Sequence, residues 1–436
     1  MHALKKTESS GQGITSVTHR QDLSAGREPA FFIGTSISFL IIIFLFFNSF
    51  PRTTAIKEIV FYLSLFIALV GIAWHKIDFS FKTPLSWPLL FFTGWCLATL
   101  PFALNLQNSI HDIYAHLIKY ITLYFLIVNF FNTERKLIYL IWTIVISAAL
   151  FSLFAMVHFY FVSGNNLSIR LDPYWEIPCN IIGTITVCSI IIALSLLKKT
   201  RNVLYRGTLV FCSILSGVAT IMTQTRGAFL ALFVSLIILF PCNKKIIGAT
   251  VLVFGLIFLI LPTKNGILER VRFNMVCGNE RIPIIYCFSE MVKDHPITGI
   301  GFGLSTYLND SLIDQYNNRV PKKFKQAIPV KAPHNFILDT AVRTGLIGLV
   351  FFMSIIVITF RMSWKILRYA KGDNLKSWAL CTTASLMALL IQGLFENTMS
   401  GPPAILLYTL FAMITILWSI DRRLQQNIAL KTAEAP

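Results

Sequence analysis

The chain is short of charge. Among its 436 residues only 13% are Asp, Glu, Lys or Arg, while 55% are hydrophobic; a soluble domain carries about a quarter charged residues. It lacks the alternating apolar and polar pattern of barrel strands, which excludes an outer-membrane-type barrel. It has no phosphate-binding glycine loop, no GxSxG elbow and no dinucleotide fingerprint, so nothing points to nucleotide or serine-hydrolase chemistry. Eight cysteines are present, but no CxxC or Cys/His spacing, so no metal site is expected. Cys96, Cys188, Cys212 and Cys381 lie in apolar runs and read as small hydrophobes. Cys277 and Cys287 fall together in a polar stretch, where an oxidising compartment would allow them to pair.

What is abundant is apolar length. Runs near twenty residues recur throughout, each able to cross a hydrocarbon core about 30 Å thick, where only helices and closed barrels satisfy the backbone. The expected fold is an all-α, polytopic integral membrane protein. Helices are expected at roughly 31–50, 58–74, 85–103, 113–131, 136–163, 177–197, 204–222, 227–241, 246–262, 336–360, 375–395 and 403–420, about twelve in all. The run 227–241, bounded by Gly227 and Pro241, is the shortest.

The net charge of +18 raises nucleic acid as a partner, but the cations sit in short clusters between apolar runs and so carry topology rather than a binding stripe. Lys76 and Lys82, Arg135 and Lys136, Lys198 to Arg206, Lys244 and Lys245, and Arg361 to Lys371 mark alternate loops, with Arg422 and Arg423 after the last helix. The loops 104–112 and 396–402 contain neither Lys nor Arg. This alternation places both termini in the cytoplasm. The expected organisation is a cytoplasmic tail 1–30, a bundle 31–262 holding helices one to nine, a periplasmic loop domain 263–335, a bundle 336–420 holding helices ten to twelve, and a cytoplasmic tail 421–436. The polar start lacks an apolar core and cleavage site, so no removable signal is expected.

A loop as long as 263–335 should hold helices of its own. Ile284, Ile285, Phe288, Met291 and Val292 recur at helical spacing over Arg281–Lys293. Asp294-His295-Pro296 ends that helix, and Thr298 to Gly303 is a glycine-rich turn. His295 reads as a C-cap residue.

The outer face gathers Arg170, Asn180, the tight turn Thr223-Gln224-Thr225-Arg226-Gly227, Arg281, His334, Asn335, Glu396 and Asn397. A boundary arginine such as Arg226 either snorkels to headgroups or clamps an anion with its planar fork. Arg281 and Arg170 are solvated charges or parts of the same clamp. Three external arginines near helix ends suit a pyrophosphate better than headgroups. His334 is either a helix-cap residue or a general base, and Asn335 either orients it or touches a sugar hydroxyl. His116 and Lys119 share a helix face; they are functional groups or members of buried pairs.

In their order and topology these residues resemble the bacterial O-antigen ligases, a family within a superfamily that includes O-antigen polymerases. The likeness rests on Thr225-Arg226-Gly227-Ala228, on Arg281 followed by Asp294-His295-Pro296-Ile297-Thr298-Gly299-Ile300-Gly301-Phe302-Gly303, on Pro333-His334-Asn335 with Leu338 and Thr344-Gly345-Leu346-Ile347-Gly348-Leu349, and on Arg170 with Asn180. The resemblance implies transfer of a glycan from undecaprenyl pyrophosphate to lipid A–core oligosaccharide on the outer leaflet of the inner membrane, with neither metal nor nucleotide. It implies His334 as base, Arg226 and Arg281 on the pyrophosphate, Arg170 as a third candidate, and membrane lipids but no nucleic acid as further partners. The chain departs from the family at Arg343, where an acidic residue is common. Counted as ideal helix, Arg343 falls about half a turn out of phase with His334, so it should face a neighbouring helix or another ligand. The alternatives are an O-antigen polymerase, a protein O-oligosaccharyltransferase, or a transporter, which would need mid-membrane charge pairs and repeat-related broken helices.

Overall fold

The computed structural model describes residues 27–171, 177–240, 248, 281–325 and 331–433. Thirteen helices of seven or more residues account for most of it: α1 Arg27–Phe47, α2 Thr54–Ala73, α3 Ser86–Ala98, α4 Leu106–Phe130, α5 Glu134–Val162, α6 Cys179–Lys199, α7 Val203–Met222, α8 Arg226–Leu239, α9 Arg281–Asp294, α10 Asp310–Asn317, α11 Phe336–Tyr369, α12 Asp373–Gly393 and α13 Gly401–Ala433. Eight of these are long and apolar enough to cross a membrane, and α1, α3 and α8 add shorter apolar segments. The chain is therefore a polytopic helical membrane protein. The expected helix at 246–262 and the cations Lys244 and Lys245 lie outside the described residues.

Local chemistry explains where several ends differ from expectation. Helix α3 stops at Ala98 and gives way to a single 3-10 turn over Leu100–Phe102, because Pro101 has no N–H to continue an α-helix. Helix α4 starts early, at Leu106, where Asn105 accepts the backbone N–H of Asn108 at 3.0 Å. That cap is the usual answer to orphan donors at a helix start, and it makes most of the cation-free loop helical. Helix α4 widens to a π turn over Ile113–Ile118, and α5 does so over Val157–Val162. Helix α8 has 14 residues, about 21 Å at 1.5 Å per residue, short of a full crossing. Helix α13 continues through Arg422 and Arg423 to Ala433.

The bundle is built around α13 and α6, which are buried along most of their length. Helix α12 packs against α6, α8 and α13, while α11 packs against α3. Apolar faces of the helices fuse into one core containing Phe44, Tyr124, Phe131, Phe352 and Phe411. A second, smaller core holds the loop unit together: Ile284, Cys287, Phe288 and Met291 of α9 meet Ile313 and Tyr316 of α10, and Val342 of α11 joins them. Helix α9 thus forms where the periodicity placed it. Cys287 is buried there as a free thiol, its pKa pushed up to about 11 by burial; Cys277 lies outside the described residues.

Helix α11 differs most from expectation. It is two helices joined at Gly345, which has φ 71° and ψ 177°. The break is filled by the glycine-rich tract after α9. Ile300 N–H donates to Val342 O at 2.9 Å, Gly301 N–H to Arg343 O at 3.2 Å, and Leu346 N–H to Pro296 O at 2.8 Å. Trp95 Nε1 donates to Thr344 O at 2.8 Å. Carbonyls that lose their helical partner at the break therefore find new ones, as buried backbone groups must. The tract is in turn held to α4: Leu304 N–H donates to Asp112 at 2.6 Å and Ser305 N–H to Asn108 at 2.9 Å. The segment of α11 before the break, residues 336–344, is strapped to the loop unit.

Candidate functional site

Helix α11 is capped at its start by Asn335. Its side-chain oxygen accepts the N–H groups of Ile337 and Leu338 at 2.9 and 3.1 Å, and its amide donates to Leu394 O at 3.3 Å. Asn335, not His334, is the cap. Its side chain fixes the start of α11 against the end of α12.

His334 takes a positive φ of 47°, an uncommon conformation for a residue with a Cβ. Its Nδ1 lies 2.9 Å from Glu396 Oε1, in the turn between α12 and α13. Glu396 also accepts the Asn180 amide and, at 3.2 Å, the N–H of Asn397. Burial by itself would raise the Glu396 pKa. The hydrogen bond and charge of His334 and the donors from Asn180 and Asn397 outweigh it, so the carboxyl stays below its ordinary range. The side chain is 12% exposed against 35% for His334. An ionised carboxylate on Nδ1 fixes the tautomer that leaves Nε2 as the free base.

Asn180, in the first turn of α6, joins the other selected residues to this pair. Its carbonyl oxygen accepts from Arg170 Nη2 at 3.2 Å and from Thr225 Oγ1 at 3.3 Å. Arg170 Nε also donates to Thr223 O at 2.7 Å. Arg226, the next residue after Thr225, is exposed at the start of α8. Helix α8 comes this close to α12 because residue 227 is glycine: a Cβ there would stand 2.8 Å from Gln392 Oε1 and 3.0 Å from Phe395 Cδ2. Arg281 opens α9 and reaches the same turn, donating to Phe395 O at 3.4 Å with its guanidinium 4.9 Å from the Phe395 ring.

His334, Arg170 and Arg281 thus touch one cluster directly, and Arg226 follows a residue that does. The arrangement offers a general base oriented by a carboxylate, with guanidinium groups from three other elements beside it. Sequence reasoning placed Glu396 on this face without giving it a role. Its partner is 62 residues away, and no local periodicity announces that contact. The signal available was a lone acid in a turn without lysine or arginine.

Arg343, Lys119 and His116 each have a partner within the bundle. Arg343 is 3% exposed and ion-pairs with Asp339 at 3.3 Å. It also donates to Phe302 O from Nε at 2.9 Å, with Nη2 on the same oxygen, and lies 4.0 Å from the Phe302 ring. It faces the loop tract and its own helix rather than the neighbouring helix or further ligand that its phase against His334 predicts. Lys119 pairs with Glu58. His116 Nδ1 lies 3.0 Å from the Tyr120 hydroxyl, and its Nε2 is 3.7 Å from Asp112. A small cavity of about 20 Å³ separates His116 and Tyr120 from Arg343.

These features define a multi-pass helical membrane protein with an imidazole–carboxylate pair and several arginines at one end. Residues 211–353 match the family model described as Wzy_C, O-antigen ligase. This match supports an O-antigen ligase family member, in a family that covers ligases and related polymerases, glycosyltransferase-like enzymes acting on lipid-linked O-antigen. The matched stretch holds Arg226, Arg281 and His334, while Arg170, Asn180 and Glu396 lie outside it. None of the curated proteins matches the chain.

Proposed function

We propose that the chain is an inverting glycosyltransferase that moves an O-antigen glycan from undecaprenyl pyrophosphate to lipid A–core oligosaccharide at the periplasmic face of the inner membrane. The observation that carries this reading is the His334–Glu396 pair set beside Arg281, Arg170 and the Arg226 turn. His334 Nε2 accepts the proton of the acceptor hydroxyl as its oxygen attacks the anomeric carbon. The bond from that carbon to the pyrophosphate oxygen breaks on the opposite face, so the configuration inverts. The electron pair leaves with the pyrophosphate, whose growing charge Arg226 and Arg281 stabilise, with Arg170 behind them. Glu396 holds the imidazole in the required tautomer and stabilises its protonated form. The donor already carries its activation in the pyrophosphate, and arginine supplies the counter-charge.

Orientation and a count of twelve membrane helices belong to the same proposal. The basic loops gather at the end opposite the site: Lys199 reaches Asn374 O at 2.9 Å and Lys198 reaches Leu239 O at 3.4 Å. Under the positive-inside rule that end is cytoplasmic and the site periplasmic. The test is a deletion strain examined on a lipopolysaccharide gel. The expected result is bare core with lipid-linked long chains accumulating. Core bearing one repeat unit would transfer the assignment to a polymerase, and unaltered lipopolysaccharide would end it.

A further inference from the structure

The segment 319–331 carries Arg319, Lys322, Lys323, Lys325 and Lys331 with no acidic residue between them. Two of the five are neutralised: Arg319 pairs with Asp294 at 2.7 Å and Lys331 with Asp310 at 2.5 Å. Among the described residues, Lys322, Lys323 and Lys325 have no carboxylate within ion-pair distance. All three are exposed. They surround an aromatic platform. Phe324 stacks on Tyr286 of α9, with centroids 5.9 Å apart and planes 20° from parallel, and Tyr286 is 43% exposed. The Lys323 ammonium lies 4.7 Å from the Phe324 ring, and Lys325 is held by Asn318 at 2.7 Å.

The platform is fixed to the loop unit rather than to a membrane helix. Val320 is 3% exposed in the loop core, and Phe324 N–H closes a turn onto Pro321 O at 2.8 Å. Tyr286 lies five residues along α9 from Arg281, about 7.5 Å by helical rise. The cations therefore stand on the same loop unit as Arg281, packed beside an aromatic pair rather than at the end of a membrane-length helix. A flat aromatic face next to fixed ammonium groups suits a sugar ring that carries anionic substituents.

We infer that Tyr286, Phe324, Lys322, Lys323 and Lys325 form a docking surface for the acceptor, and that the acceptor is an oligosaccharide bearing phosphate groups near its reactive hydroxyl. This rests on the glycan-transfer reading of the His334 site. It assigns the loop unit to acceptor selection, because the donor's negative charge lies in its pyrophosphate at the arginines.

The test uses full-length protein in neutral-lipid nanodiscs, with wild type compared to K322E/K323E/K325E and, separately, Tyr286→Ala. The probes are lipid A–core with its sugar phosphates and the same glycolipid after phosphatase treatment. The triple variant is expected to raise the acceptor KM about tenfold, the effect of a few exposed ion pairs acting together, with donor KM and kcat unchanged. Phosphatase treatment should raise the wild-type acceptor KM similarly and leave the triple variant little worse. Tyr286→Ala should raise acceptor KM for both probes. An unaltered acceptor KM in the triple variant overturns the inference. So does an equal rise with both probes, or a loss seen only in discs containing anionic lipid, which would assign the lysines to headgroups. If wild type transfers no glycan, the transfer reading fails instead. Calorimetry with the released phosphorylated oligosaccharide then decides the docking surface, which requires binding by wild type and weakened binding by the triple variant.

Discussion

Replacing Gly345 by alanine should damage the site from a distance. The residue sits at φ 71° and ψ 177°, a combination essentially restricted to glycine, and a side chain forced into it costs about 1–3 kcal/mol. A Cβ would also run into the Ile297 carbonyl and the Thr298 nitrogen, which are backbone atoms of the strap and cannot rotate away. Three strap hydrogen bonds, from Ile300, Gly301 and Leu346, would be stretched or lost. At roughly 0.5–1.5 kcal/mol each they bring the total, with the strain, to about 2.5–7.5 kcal/mol. The control is Gly217→Ala inside α7, where an added Cβ meets nothing within 4 Å. That change should be neutral or stabilise by about 0.5–1 kcal/mol. Denaturation of both variants in mixed micelles, with the transfer rate measured alongside, separates the cases. Gly345→Ala should lower the midpoint and reduce transfer, because the strap positions the helical segment that directly follows His334. A Gly345→Ala protein with wild-type midpoint and rate would refute the account of the break.

Glu396→Gln should keep the fold near neutral pH but cut transfer strongly, since a charge-assisted bond to His334 worth about 1.5–3 kcal/mol is weakened. The Glu396 carboxyl titrates below its ordinary value of 4.5, so its contribution to stability is present above that pH and fades as pH falls through the lower folded value. The variant's stability should therefore vary less than wild type's below about pH 4.5, as read by denaturation midpoints across pH. Arg343→Met should cost about 3–5 kcal/mol by leaving the buried Asp339 carboxylate without its cation, with only the Tyr307 hydroxyl donating to it, whereas Arg343→Met with Asp339→Leu should recover part of the loss; a double variant as unstable as the single one would contradict the ion-pair reading.

The apolar runs announced the bundle, because a membrane crossing needs a long uninterrupted stretch and little else. Helix α9 was legible from the spacing of Ile284, Phe288 and Met291. The break at Gly345 was not, since a single glycine in an apolar helix is compatible with an unbroken one. What breaks the helix is the tract 296–301, remote in sequence, offering donors and an acceptor at the right place. His334 stood out through its position before an apolar helix, but the carboxylate that orients it comes from another turn of the chain. Arg343 and Asp339 were readable as an i, i+4 pair; comparing Arg343 with His334 alone hid that partner.

The most direct measurement is transfer by purified protein in liposomes, without nucleotide, using lipid-linked donor and lipid A–core with each omitted in turn. The wild-type chain should form product only when both are present, and His334→Ala and Arg226→Ala should be folded and at least a hundredfold slower, on the order of what a general base supplies. Full-rate transfer by His334→Ala, or labelling that places residue 334 on the cytoplasmic side, would contradict the assignment of the site.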